Sequence, residues 1–204
     1  MYKEDQLDSD WTCIGTLKSH DSTVWSLTFD KTGKRLATCS DDKTVKIWQE
    51  YDPDNQEGVI VSDQESTWKC VCTLSGYHTR CIYDITWCHV TGLIATACGD
   101  DIVRVFRECE DSDPNAPSFE LVCTKLNAHS QDVNCVQWNP LGNKELISCS
   151  DDGEIKIWKL SDEWKIKNEE QEKCVIILYL HYKVALNMHC VCLNTKKYSQ
   201  STMS

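Results

Sequence analysis

The chain is poor in positive charge. Lys and Arg together number 21 against 32 Asp and Glu, a formal net charge of −11 over 204 residues. Non-specific nucleic-acid binding needs a basic footprint, so nucleic acid is not an expected partner. The opening stretch MYKEDQLDSD lacks the basic start and apolar run of a secretory signal or transit peptide, so neither is expected. Paired CxxC clusters are missing although the chain holds 14 cysteines, and zinc and iron–sulfur sites usually carry such clusters. Two CxC pairs, Cys70–Cys72 and Cys190–Cys192, are weak signals on their own. Helical periodicity is missing too. Short β-rich runs split by Gly, Asp, Asn or Pro read as strands and turns. At 41% hydrophobic and 26% charged, the composition is that of a globular protein rather than a disordered one. It fits a soluble protein that meets other proteins, in a reducing compartment with mostly free thiols.

One phrase is written three times. ATCSDDKTVKIW ends at Trp48, ATACGDDIVRVF at Phe106 and ISCSDDGEIKIW at Trp158. Six residues before each aromatic sits Asp42, Asp100 or Asp152, and four before each Asp sits Thr38, Thr96 or Ser148. His20, His78 and His129 lie 28 or 29 residues before the aromatic. A further run leads into each His: WTCIGTL from Trp11, WKCVCTL from Trp68 and FELVCTKL from Phe119. A repeating unit of four short strands follows, twelve in all. The His-to-His spacings of 58 and 51 residues exceed a bare unit because two polar insertions intervene, about 50–67 and about 108–118. Their Pro, Asp, Asn and Ser make them surface loops.

This wording resembles the WD40 repeat. The resemblance implies an all-β chain: a β-propeller fragment of three four-stranded antiparallel blades in an open arc, plus a C-terminal tail that matches no blade. Residues 1–10 would be the remnant of a preceding blade or linker, 11–160 the three blades and 161–204 a divergent tail. Within a WD40 blade the His, hydroxyl, Asp and Trp form one buried hydrogen-bond chain. Here those positions are His20, Thr38, Asp42 and Trp48, then His78, Thr96 and Asp100, then His129, Ser148, Asp152 and Trp158. The residue types suit the task, since Asp can only accept, Trp can only donate, and His and the hydroxyl do both. In the middle copy Phe106 lacks the indole N–H. The expected loss is the roughly 0.5–1.5 kcal/mol of one net hydrogen bond. A catalytic reading of His129, Ser148 and Asp152 fits the residue types. Threefold recurrence, with Thr in two copies, argues for structure instead, so no catalytic residue is expected.

The fuller wording, from about Tyr2 to Lys159, resembles the last three of seven blades in the WD40 proteins of cytosolic iron–sulfur protein assembly. That resemblance implies a non-catalytic scaffold without a cofactor or metal of its own. Its partners would be the other subunits of the cluster-targeting complex and iron–sulfur apoproteins, with no membrane. The implied location is the cytoplasm, with the nucleus left open. The alternatives are a different WD40 adaptor, a cluster carrier that ligates iron through cysteine, and a truncated product without activity of its own. Most cysteines follow the repeat phase, Cys39 with Cys149 and Cys13 with Cys70, as small buried hydrophobes would.

WD40 propellers usually bind partners on the face of the His-bearing and Asp-bearing turns. On this chain that face would carry Asp21, Arg80, Gln131 and Asp132 near the His turns, and Asp41, Asp101 and Asp151 beside the clamp Asp. Trp25, Tyr83 and Asn134 sit five residues after each His, and the loop residues Tyr51 and Pro53 are secondary candidates. The tail holds an apolar stretch from Cys174 to Leu193 broken by His181, Lys183, Asn187 and His189. A central Lys disfavours a membrane anchor there. Three blades leave two outer faces bare, so the isolated chain is expected to be soluble only as an oligomer or with a chaperone.

Overall fold

A computed structural model describes residues 12–51, 67–142 and 144–161. It contains eleven strands and, among the described residues, no helix. The first sheet comprises β1 (Val24–Phe29), β2 (Arg35–Ser40), β3 (Val45–Glu50) and β4 (Trp68–Leu74), hydrogen-bonded in that order. The second comprises β5 (Ile82–Trp87), β6 (Ile94–Cys98), β7 (Val103–Glu108) and β8 (Phe119–Lys125). The third comprises β9 (Val133–Trp138), β10 (Glu145–Ser150) and β11 (Ile155–Lys159). Every pairing is antiparallel. The three sheets form an open arc, not a closed ring.

The strand count differs from the twelve expected. WKCVCTL and FELVCTK pair as β4 and β8 with the third strands of their sheets. Thr12–Leu17, with the same wording, forms no strand. No described third strand precedes it, and an isolated strand cannot satisfy its backbone donors and acceptors. The segment Ser112–Ser118 of the second insertion closes on itself through an Asp113–Ala116 bridge, and Cys109 N–H donates to Ser118 C=O. The first insertion and the tail, with its strand and anchor readings, lie largely or wholly outside the described residues. No helix among the described residues is long and apolar enough to cross a membrane.

The core lies between sheets rather than within them. Ala37, Cys39, Val45 and Ile47 of the first sheet pack against Ile82, Ile85, Trp87 and Phe106 of the second. Ala95, Ala97, Val103 and Val105 of the second pack against Val133, Val136, Trp138 and Trp158 of the third. Each sheet therefore needs a neighbour to bury its apolar face. At the ends of the arc no sheet among the described residues covers the apolar face, and Leu27 on β1 is 58% exposed and Ile157 on β11 is 42% exposed.

Two backbone devices shape the face that carries the His turns. The residue after each clamp Asp is left-handed: Lys43 at φ 66°, Asp101 at 65° and Gly153 at 79°. This turns the chain sharply between the second and third strands. The first strand of each sheet also carries a β-bulge. The register skips one residue between Val24 and Ser26, and between Ile82 and Asp84. It skips again where Ser150 pairs Val133 and Cys149 pairs Cys135. The extra residues are Trp25, Tyr83 and Asn134, and a bulge re-aims the side chain it carries.

Candidate functional site

In the first sheet the Trp48 indole donates to Thr38 Oγ1 at 2.9 Å. Thr38 Oγ1 lies 2.7 Å from His20 Nε2, and His20 Nδ1 lies 2.8 Å from Asp42 Oδ2. The third sheet repeats the chain: Trp158 to Ser148 at 2.8 Å, Ser148 to His129 Nε2 at 2.8 Å, and His129 Nδ1 to Asp152 at 2.9 Å. Only one direction satisfies every atom. The indole N–H donates to the hydroxyl oxygen, the hydroxyl to Nε2, and Nδ1–H to the carboxylate. The Asp also accepts backbone N–H groups, from Asp21 and Thr44 on Asp42, and from Ser130 and Glu154 on Asp152. Burial pushes the Asp42 carboxyl up, but hydrogen bonds from Thr44, His20 and Asp21 outweigh it and hold it well below the usual carboxylate range. Asp152 is lowered for the same reasons. Burial lowers His129, which keeps its imidazole neutral, while Asp152 opposes the shift.

The middle sheet departs further than the missing indole implied. Thr96 lies 2.9 Å from His78 Nε2, but His78 Nδ1 has no protein hydrogen-bond partner. Asp100 is turned to Arg104, whose guanidinium donates to it at 2.9 Å through each of two nitrogens. Both side chains are buried, at 7% and 6% exposure. The cause is a single exchange. Arg104 stands where the outer sheets have Lys46 and Lys156, whose ammonium groups reach Thr73 and Ala128 instead. A buried guanidinium must find a counter-charge, and the clamp Asp is within reach. Burial and the Arg104 charge then lower His78 to about 4. Phe106 is fully buried, with Tyr77 edge-on at 5.1 Å.

These hydroxyls are poor candidates for nucleophiles. Ser148 is 1% exposed, and its oxygen is engaged by both Trp158 and His129. Among the described residues, His129, Asp152 and Glu154 are close enough to share an ion. Both ring nitrogens of His129 are already committed within the clamp.

The partner-face candidates fall into one belt and a few outliers. Arg80, in the turn entering β5, reaches across to Asp132, in the turn entering β9, at 2.7 Å. It also donates to Gly99 C=O, and Tyr83 Oη donates to Asp132 at 3.1 Å. The rings of Trp25 and Tyr83 meet edge to face at 5.6 Å, and Trp25 stays 52% exposed. One strip thus runs from the first sheet to the third. Asn134 donates to Asp151 at 2.6 Å and Ser22 to Asp41 at 3.1 Å, both pairs within a sheet. Asp21 and Gln131 are exposed, and Asp101 is half-buried with its C=O accepting from Ala128 N–H. The structure does not bring these last three into the belt. Tyr51 packs under the Lys69 ammonium at 5.4 Å, and Pro53 lies outside the described residues.

Asp84 was missed by the sequence reading. It accepts from Ser26 Oγ at 2.6 Å and from Val136 N–H at 2.9 Å, so one carboxylate bridges all three sheets. A signal was available. Ser26, Asp84 and Cys135 each lie six residues after the repeat His, and a carboxylate at a phase of small residues needs donors.

The chain matches the model of the WD domain, G-beta repeat, over residues 11–49, 68–107 and 120–159. It is 60% identical over 163 residues to a protein of Aedes aegypti named "Probable cytosolic iron-sulfur protein assembly protein Ciao1", covering 80% of this chain and 48% of that protein. A Culex quinquefasciatus protein of the same name is 58% identical over 164 residues, with the same two coverages. One from Drosophila mojavensis is 60% identical over 116 residues, 57% of this chain and 35% of that protein. The chain therefore spans about half, 48%, of the first two relatives. The three matched stretches each carry one His, hydroxyl and Asp set of the kind just described, and on them the chain belongs to the WD domain, G-beta repeat family.

Proposed function

We propose that this chain supplies a non-catalytic docking platform to the machinery that builds iron–sulfur clusters into cytosolic proteins. The observation that carries the reading is the 60% identity, across 163 residues, to a relative named for that assembly. The geometry is compatible. The clamp groups bond to one another inside the sheets, which leaves the belt of Trp25, Tyr83, Arg80 and Asp132, exposed at Trp25 and Arg80, for contact with partners. Aromatic and Arg side chains held by neighbours anchor interfaces well, because little freedom is lost on binding. Asp21, Asp41, Asp101, Gln131, Asn134 and Asp151 form the polar surround. The functional unit on this reading is residues 11–160. The partners are other subunits of a cluster-targeting complex and the apoproteins that receive clusters, met in the cytoplasm and for nuclear apoproteins in the nucleus.

The test is complementation. A full-length mosquito relative carrying this segment in place of its own is expressed in cells depleted of the endogenous protein. Activity of a cytosolic iron–sulfur enzyme is the readout. The chimera is expected to restore activity, and the double variant Trp25→Ala, Arg80→Glu is expected to lose it at normal abundance. Full activity from the double variant would sink the docking face. Failure of the unaltered chimera, at normal abundance, would sink the assembly role. The purified chain is expected to hold no stoichiometric cluster after anaerobic treatment with iron and sulfide. A cluster that survives buffer exchange and disappears in Cys70→Ser, Cys72→Ser would replace the platform reading with that of a carrier.

A further inference from the structure

The three sheets differ at one pair of positions that the clamp does not use. Where β1 meets β2, Ser26 is the Cα partner of Cys39; where β5 meets β6, Asp84 is the partner of Ala97. Where β9 meets β10, the partners are Cys135 and Cys149. Among the described residues, only the third sheet sets two thiols directly opposite each other. Directly paired residues on antiparallel strands have Cα atoms about 4.5–5.5 Å apart, inside the roughly 4.4–6.8 Å that a disulfide spans. That pairing puts the two side chains side by side on one face of the sheet. Both are free, Cys135 exposed and Cys149 half-buried, whereas Cys39, Cys88 and Cys98 are buried.

We propose that Cys135 and Cys149 form a peroxide-reactive dithiol that closes to a cross-strand disulfide. The two cysteines have different parts. The neighbouring Cys135 thiol lowers that of Cys149, against burial and the nearby carboxylates of Asp84 and Asp151. Cys135 is raised, by the Cys149 beside it and by burial. Cys149 is therefore the nucleophile, because the thiolate is the reactive form. Its sulfur attacks one oxygen of hydrogen peroxide. The S–O bond forms, the O–O bond breaks and hydroxide leaves. The Cys135 sulfur then gives up its proton and attacks the sulfenic sulfur; the S–S bond forms, the S–O bond breaks and water departs. Two thiols and one peroxide become one disulfide and two waters. The bond would pin β9 to β10 beside Asn134 and Asp151, two residues of the polar surround. A reductant such as glutathione would reopen it by thiol–disulfide exchange.

The sequence makes the test clean. Trypsin cuts after Lys125, Lys144 and Lys156, so Cys135 and Cys149 fall on separate peptides with one cysteine each. The full chain is treated with hydrogen peroxide under native conditions, alkylated and digested. The expected product is the Leu126–Lys144 peptide joined to Glu145–Lys156, lighter by two hydrogens than the two peptides together and split by reductant. It should form faster than the exposed Cys13 oxidises, because a sulfenic acid opposite a second thiol is captured at once as the disulfide. Cys135→Ser should leave a sulfenic acid at Cys149 that dimedone traps, while Cys149→Ser should remove the fast reaction. No joined peptide in the wild type, or a joined peptide no faster than Cys13 oxidation, would overturn the proposal. So would preferential linkage of either cysteine to a third one.

Discussion

Set the middle sheet beside the outer two. In the first and third, the His is satisfied at both nitrogens by a hydroxyl and an Asp, and an indole closes the other end. In the middle sheet the same Asp has been taken over by a buried Arg, the His keeps one bond, and the indole is replaced by a fully buried Phe. One backbone thus accommodates two ways of filling the same space. The outer solution is a closed network in which each donor has an acceptor and no cation is buried. The middle one holds a formal ion pair and leaves a ring nitrogen without a protein partner. Breaking a buried ion pair leaves a charge uncompensated, whereas breaking a neutral network leaves only unpaired donors. The middle sheet should therefore be the most sensitive of the three to loss of one residue.

The largest effect is expected at Arg104. Arg104→Met strands the Asp100 carboxylate beneath the turn, and removing one member of a buried pair costs about 3–5 kcal/mol. Urea denaturation of a full-length relative carrying the segment measures it. Arg104→Lys together with Phe106→Trp rewrites the outer pattern and should recover most of the loss. A cost below about 1 kcal/mol for Arg104→Met would mean that His78 captures Asp100 at once, and the two solutions would then be nearly interchangeable.

Acid should separate the sheets next. His78 is lowered to about 4 from 6.5, by burial and then by the Arg104 charge. Between those values the unfolded chain binds a proton that the folded chain refuses. The contribution is therefore whole above pH 6.5 and falls as pH drops towards 4, by about 3 kcal/mol in all. His129 is lowered too and adds a loss in the same direction. The lowered carboxyls of Asp42, Asp100 and Asp152 lose their contributions only further down, as pH falls from 3.8. Urea midpoints at pH 7 and pH 4.5 should differ markedly in the parent and less in His78→Gln. Equal pH dependence in both would remove His78 from the account.

What could be read beforehand follows from the same contrast. The outer clamps were legible because four residue types recur at fixed spacing and have one mutual hydrogen-bonding solution. Phe106 was legible as a lost donor. Arg104 was not, since Arg in the phase of Lys46 and Lys156 looks like a surface exchange of like charge; only burial shows that the charge must be paired. Asp84 and the Cys135–Cys149 pair were hidden for a related reason. Phase puts Ser26, Asp84 and Cys135 in one class, but the partners of Asp84 are set by how the sheets stack and that of Cys135 by strand register. The belt was legible as a set of positions. That Trp25, Tyr83 and Asn134 are bulge residues was not, because a bulge is a register skip against a partner strand.

Cutting the outer network at its acceptor end should cost less than cutting the ion pair. Asp152→Ala leaves His129 Nδ1–H and the N–H groups of Ser130 and Glu154 without their acceptor. The turn lies near the surface, so water can reach some of these donors. The expected loss is about 1–3 kcal/mol in the denaturation midpoint, with partner binding reduced only in proportion. An unchanged midpoint with abolished binding would make Asp152 a contact residue instead of a clamp.

The smallest effect tests whether the indole matters at all. Trp158→Phe makes the third sheet resemble the middle one at its aromatic end while leaving His129, Ser148 and Asp152 in place. Ser148 loses the N–H that caps its oxygen, but it can still donate to His129 Nε2, so no charge is stranded and only one bond is lost. A net bond of this kind is worth about 0.5–1.5 kcal/mol. The smaller ring also gives up packing against Leu146 and Trp138 in the core between the second and third sheets, which acts in the same direction. Trp48→Phe should behave alike, because its indole bonds Thr38 in the same way. The comparison sharpens if the two losses agree and the His129 resonance keeps its neutral signature in NMR. If instead Trp158→Phe costs as much as Arg104→Met, the indole would be holding the Asp–His pair in place rather than ending a chain. The middle sheet would then have needed Arg104 because Phe106 came first.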